Sequence, residues 1–153
     1  MSDDLSFELA FEPAEPPTSA ELTALVVDDI PHMVMLLTSM LRKLGFREIV
    51  SAGTVTEAHR LLPIWNPGIV FVDWMMEPDD GLELVKIIRS GVDVPDPHVP
   101  ILMITGHADA TRVREARQAG ADAFIVKPFS GKLLAKRITA VLHEEVRRSA
   151  YRR

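Results

Sequence analysis

Five short apolar runs, each followed by a segment with helical spacing, leave this chain few ways to fold. The runs are Leu22–Val27, Phe46–Ala52, Ile69–Asp73, Ile101–Thr105 and Ala123–Val126. They are rich in β-branched side chains, and the third, IVFVD, is apolar without alternation, as a strand covered on both faces must be. Strict alternation of strand and helix predicts an α/β fold, a five-stranded parallel sheet with helices on both faces. Right-handed crossovers narrow the topology, and the expected strand order is 2-1-3-4-5.

The segments between the runs carry helix start and stop signals. Pro31 suits a first helical turn, where its missing N–H costs nothing. Met33, Leu37, Met40, Leu41 and Leu44 then recur at helical spacing up to Gly45, a C-cap residue. Thr54 and Glu57 form a capping box ahead of Ala58, Leu61 and Leu62, and Pro63 and Pro67 end that helix. Gly81 leads into a third helix with Leu82, Leu84, Val85 and Ile88, closed by Ser90-Gly91. A loop with Pro95, Pro97 and Pro100 feeds the fourth strand. A more polar helix with Val113, Ala116 and Ala119 ends at Gly120, and a last helix from about Ser130 turns Leu134, Ile138, Val141 and Leu142 inward.

Residues 22–145 make one domain on this reading. Residues 1–21 hold Asp3, Asp4, Glu8, Glu12, Glu15 and the Pro13, Pro16 and Pro17 cluster, the composition of a flexible acidic tail. The alternation of Leu5, Phe7, Leu9 and Phe11 also admits a docking strand. Residues 146–153 form a short basic tail with Arg147, Arg148, Arg152 and Arg153. Lys and Arg at a helix C-terminus already complement its dipole, and an acidic partner surface or the N-terminal tail is the other reading. From the short stretch past the last helix, no attached output domain is expected.

Composition removes several functions. A net charge of −5 argues against direct nucleic-acid binding, which needs a basic face. The absence of cysteine excludes disulfides, thiolate zinc sites and cysteine nucleophiles. The first twenty residues have no basic start and no apolar core, so they are not a signal peptide. No apolar run approaches the ~20 residues of a membrane helix. A cytoplasmic protein without membrane insertion is expected.

The carboxyl ends of the strands supply Asp28-Asp29, Asp73, Thr105 and Lys127 in turn. In open α/β sheets ligands collect at these ends, beside the point where strand order reverses. Strands one and three are neighbours there, so three carboxylates crowd one cleft and repel unless a cation intervenes. Mg2+, a hard cation that takes oxygen ligands and keeps waters, answers that need. Lys127 adds a point charge for a phosphate oxygen, and Thr105 adds a hydroxyl. Carboxylate nucleophile, metal, ammonium and hydroxyl together are the parts of phosphoryl transfer. Each residue alone has an ordinary structural reading, as turn, cap, surface lysine or strand residue. Their conjunction at successive strand ends is what points to chemistry.

At these residues the chain resembles the receiver domain of two-component response regulators, from about Leu22 to Glu145. The motifs VVDDI, FVDWMM…DDGLEL, PILMITG and FIVKPF carry the likeness. The resemblance implies that Asp73 accepts the phosphoryl group. It implies that Asp29, Asp73 and the Met75 backbone carbonyl ligate Mg2+, with Asp28 acting through water. Thr105 and Phe124 become the switch residues, Lys127 the phosphate-binding lysine, and Lys127–Pro128 a cis peptide bond, so Pro128 is a cis-proline. The implied partners are a histidine kinase or histidine phosphotransfer protein, and a protein target docking on the last two helices and the fifth strand.

The chain departs from the family pattern at Glu77, where Pro is usual four residues after the phosphoacceptor, and at Phe124, which replaces a common Tyr. Gly106 after Thr105 is small, as the family prefers. Met75 and His107, two residues after Asp73 and Thr105, sit where this family tunes attack by water. Methionine cannot orient water, so slow self-dephosphorylation is expected, with His107 acting in the opposite sense. Two rival readings stand beside this one. A receiver-like module that binds without being phosphorylated is the first. The second is a haloacid dehalogenase-type phosphatase, whose paired aspartates are two residues apart rather than adjacent as Asp28 and Asp29 are.

Overall fold

The computed structural model describes residues 22–107 and 109–152. Strands β1 (Thr23–Val27), β2 (Glu48–Ala52), β3 (Ile69–Asp73), β4 (Ile101–Thr105) and β5 (Ala123–Val126) alternate with five helices. These are α1 (Pro31–Lys43), α2 (Val55–Leu61), α3 (Gly81–Ser90), α4 (Ala110–Ala119) and α5 (Gly131–Arg152). The sheet is parallel in the order β2-β1-β3-β4-β5. The expected fold and strand order are those observed. The strands are shorter at their starts than expected, since Leu22, Phe46 and Arg47 lie outside the ladder.

Side chains alternate across a strand, and the core divides accordingly. Leu25, Val27, Val70, Val72, Ile101 and Met103 face α2, α3 and α4, packing against Ala58, Leu84, Val85, Ile88 and Ala116. Ala24, Val26, Ile69, Phe71, Leu102 and Ile104 face α1 and α5, meeting Leu37, Leu41, Leu134, Ile138 and Val141. All five residues of β3 are buried, which is why that run shows no alternation. Each fully buried Leu or Ile contributes about 1.5–3 kcal/mol by leaving water. Leu44, the last residue at helical spacing before Gly45, is the exposed C-cap of α1.

Thr54 Oγ1 accepts from Glu57 N–H at 3.0 Å. Glu57 Oε2 returns to Gly53 N–H rather than to that of Thr54, also at 3.0 Å. At the opposite end of the sheet from the acidic cleft, Arg89 fastens several segments. Its guanidinium donates to the carbonyls of Gly120 (2.9 Å), Pro97 (2.8 Å) and Val99 (2.8 Å), and to Asp122 Oδ2 (2.7 Å). The same Asp122 oxygen accepts from Ile101 N–H at 2.9 Å. Gly120 is required beside it: its φ is +111°, and a Cβ there would meet Arg89 Cγ at 2.7 Å.

The backbone of α5 stays helical to Arg152, so the boundary drawn before residue 146 falls inside a helix. No Gly or Pro interrupts residues 132–152, leaving nothing to stop it. The acidic N-terminal segment lies outside the described residues. Among the described residues no helix is long and apolar enough to cross a membrane.

Candidate functional site

Asp28 and Asp73 sit where β1 and β3 end side by side, and both are buried, as is Thr105 at the end of β4. One carboxylate oxygen from each of Asp28, Asp29 and Asp73 lies within 4.8 Å of the others. Lys127, just past β5, reaches over them. Its Nζ is 3.4 Å from Asp73 Oδ2 and 3.9 Å from Asp28 Oδ2. Its position is set from below, because its N–H donates to the Thr105 carbonyl at 2.7 Å and the Lys127–Pro128 bond is cis. The structure therefore brings together Asp28, Asp29, Asp73 and Lys127, with Thr105 on the adjacent strand end.

The remaining residues singled out from the sequence surround this core. Thr105 Oγ1 accepts from His107 N–H at 3.1 Å, and His107 itself is exposed. Phe124 is half-buried and meets Trp74 edge-on, 6.1 Å between ring centroids. The Met75 side chain is largely exposed, while its backbone bridges to Asp80. The Glu77–Pro78 bond is cis, and Glu77 N–H donates to Asp29 Oδ2 at 3.2 Å.

Some contacts had no signal in the sequence. Asp79 Oδ2 accepts from Val55 N–H at 2.9 Å, tying the loop after β3 to the start of α2. Arg112 lies over the Trp74 ring at 5.4 Å. Asp80 was legible in principle, since an Asp before the Gly that opens a helix is an N-cap signature; its Oδ1 accepts from Leu82 N–H at 2.9 Å.

The electrostatics call for a cation. Burial, then the charge of Asp28, push the Asp73 carboxyl up from 3.8 to about 6, against the pull of Lys127. Burial likewise raises Asp28. Asp29 Oδ1 is buried with no hydrogen-bond partner, a costly arrangement for an acceptor. One ammonium facing three carboxylates does not neutralise them. A hard divalent cation with oxygen ligands does, so the residues present fit Mg2+.

A model of the response regulator receiver domain matches residues 24–139. The chain belongs to the receiver-domain family. Chemotaxis protein CheY of Pseudomonas aeruginosa is 33% identical over 117 residues, covering 76% of this chain and 93% of that protein. Among solved structures, Vibrio cholerae CheY4 is 27% identical with a TM-score of 0.71, over 78% of this chain and 97% of that one. A CheY-like receiver from Methanospirillum hungatei is 25% identical with a TM-score of 0.73, over 82% of this chain and 97% of that one. Receivers are two-component signalling domains rather than metabolic enzymes, and they bind Mg2+ at an acidic cluster such as the one formed here.

A titration follows from the raised Asp73. Protons and Mg2+ compete for its carboxylate, so Mg2+ affinity is expected to fall as pH drops through about 6. The limiting decline is about tenfold per pH unit for one displaced proton. Calorimetric titration with Mg2+ from about pH 5 to about pH 8, either side of the raised Asp73 value, checks it. A flat profile would remove Asp73 from the ligand set.

Proposed function

We propose that this receiver takes a phosphoryl group from a partner's phosphohistidine onto Asp73. The observation that carries the reading is the convergence of Asp28, Asp29 and Lys127 Nζ, 3.4 Å away, on the one carboxylate at the end of β3. A carboxylate oxygen of Asp73 attacks phosphorus, the P–N bond to the donor imidazole breaks, and that nitrogen leaves with the electron pair and takes a proton. Asp29, Asp73 and the Met75 carbonyl would hold Mg2+, with Asp28 acting through water, and the bound cation would supply positive charge against the phosphoryl oxygens. Lys127 exchanges its contact with Asp73 for one with a phosphoryl oxygen. Thr105 turns its hydroxyl from His107 N–H toward another.

Those new contacts bias a pre-existing equilibrium in the loop after β4 and in Phe124. The readout is a changed surface on α4, β5 and α5 that docks a target protein or passes the phosphate on, in the cytoplasm and without direct contact to nucleic acid. The acidic and basic chain ends lie outside this mechanism, which residues 22–145 carry.

Acetyl phosphate with Mg2+ tests the reading. One phosphoryl group should appear by intact mass, with a change in the emission of Trp74 over the background of Trp65. No mass gain and no response to beryllium fluoride would leave a binding-only module. The phosphate lifetime is a separate matter. Met75 offers no polar atom to align water, so hydrolysis is slow, and Met75→Asn is expected to speed it at least severalfold. Decay of the phosphorylated protein followed by mass measures this. Loss within seconds in the wild type, or an unchanged rate in the variant, would assign the lifetime elsewhere.

A further inference from the structure

Trp74 follows Asp73 directly, is almost wholly buried, and meets residues from two elements distant in sequence. Phe124 of β5 approaches it edge-on, with an interplanar angle of 86°. Arg112, in the first turn of α4, places its guanidinium over the same ring. That guanidinium also reaches Met75, with Nη1 3.9 Å from Sδ, and Asp109, with Nε 3.9 Å from Oδ2. All three contacts are soft. The cleft around it, about 520 Å³, is lined by Glu77, Asp79, Asp80, Asp109 and Glu115 as well, and Arg112 is the one Lys or Arg among its lining residues.

We propose that Arg112 is a positioning residue that holds the first turn of α4 onto Trp74 and Met75, and thereby links events at Asp73 to Phe124. The inference rests on the phosphoacceptor reading of Asp73 and deepens it. One indole is shared by the backbone that carries Asp73, by the ring of β5 and by the cation of α4. Movement of Phe124 alters the packing that fixes Trp74, and with it the face that Arg112 covers. A cation over a partly desolvated indole changes an equilibrium by about two- to fivefold or more, a size suited to biasing a switch rather than locking it. Coupling of this kind is reciprocal, so a partner that lifts α4 also changes how readily Asp73 is modified.

On this proposal the contact seen in the unmodified chain loosens on modification, so weakening it favours the modified form. In the full chain, Arg112→Gln keeps the length of the side chain and drops its charge, while Arg112→Lys keeps the charge. Affinity for beryllium fluoride with Mg2+, measured by calorimetry, is expected to rise about two- to fivefold in the glutamine variant and to return toward wild type with lysine. Phe124→Leu added to Arg112→Gln should give less than the product of the two separate effects, because both act through Trp74. A purely structural role would not produce that non-additivity. Affinity unchanged or weakened by Arg112→Gln, or multiplicative effects in the double variant, overturns the proposal. A wild type blind to beryllium fluoride brings down the phosphoacceptor reading and this inference together, whereas a responsive wild type with independent variants overturns this inference alone.

Discussion

Asp73→Asn is expected to abolish phosphoryl uptake and, in the absence of metal, to make the protein more stable. Loss of uptake follows because an amide oxygen is no nucleophile toward phosphorus, and the other carboxylate against Lys127, that of Asp28, lies farther away at 3.9 Å than Asp73 at 3.4 Å. The gain in stability follows from the raised carboxyl. Its pKa is about 6 in the folded chain against 3.8 for the ordinary value, so the folded state binds this proton more tightly than the unfolded state does. With respect to this group, folding is therefore favoured most below about pH 4, and that advantage is lost as pH rises through about 6. At neutral pH the ionised, buried Asp73 costs about 1–3 kcal/mol once Lys127 and solvent are allowed for. Asparagine removes that cost. The variant's advantage in denaturant melts should grow between about pH 4 and pH 6 and level off above. Mg2+ should stabilise the wild type much more than the variant, because the cation relieves the same repulsion. A variant that still accepts phosphate, or one less stable than metal-free wild type at neutral pH, contradicts this account of the site.

The second large effect is expected at Gly81, whose Cα lies against the strand end that carries Asp73. A Cβ there would collide with the Asp73 carbonyl oxygen, and would stand 2.8 Å from Val72 Cγ1 and 3.0 Å from the Asp73 carbonyl carbon. Two of the three atoms it meets are Asp73 backbone, so no turn of the Val72 side chain relieves the clash. Nor can the segment retreat easily, since Gly81 N–H donates to the Trp74 carbonyl at 2.9 Å and Asp80 caps the helix that begins there. Overpacking costs about 1–3 kcal/mol where neighbours can shift, and Gly81→Ala should reach or exceed the upper end. Because the displaced atoms belong to Asp73, Mg2+ affinity should fall with stability. Melting within about 0.5 kcal/mol of wild type, with Mg2+ binding intact, would show that the strand end has slack.

The parts of this protein governed by local rules were legible in its sequence. The run IVFVD declared a strand buried on both faces, and the order of strand ends alone places Asp28, Asp29, Asp73, Thr105 and Lys127 around one cleft. What escaped depends on side chains that cross between elements. Arg112 stands 38 residues from Trp74 (112 − 74) and Asp79 stands 24 from Val55, and no periodicity reports such meetings. Arg89, in the last turn of α3, carries no mark in the sequence of its role, yet it is half-buried and its guanidinium donates to three carbonyls and to Asp122. Leu44 keeps the helical spacing yet caps α1 in an exposed position, because spacing alone does not report where a helix stops.

Arg89 has a meaning beyond its own bonds. It knots the loop before β4 to the start of β5 at the foot of the sheet, whereas Asp73, Thr105 and Lys127 stand at the other rim. The residues proposed to tune the lifetime of the phosphate, Met75 and His107, follow β3 and β4 on that rim, a full strand length from the knot. Mutational drift can therefore reset the lifetime of the signal without loosening the frame, so the clock and the chassis of this protein are free to evolve apart.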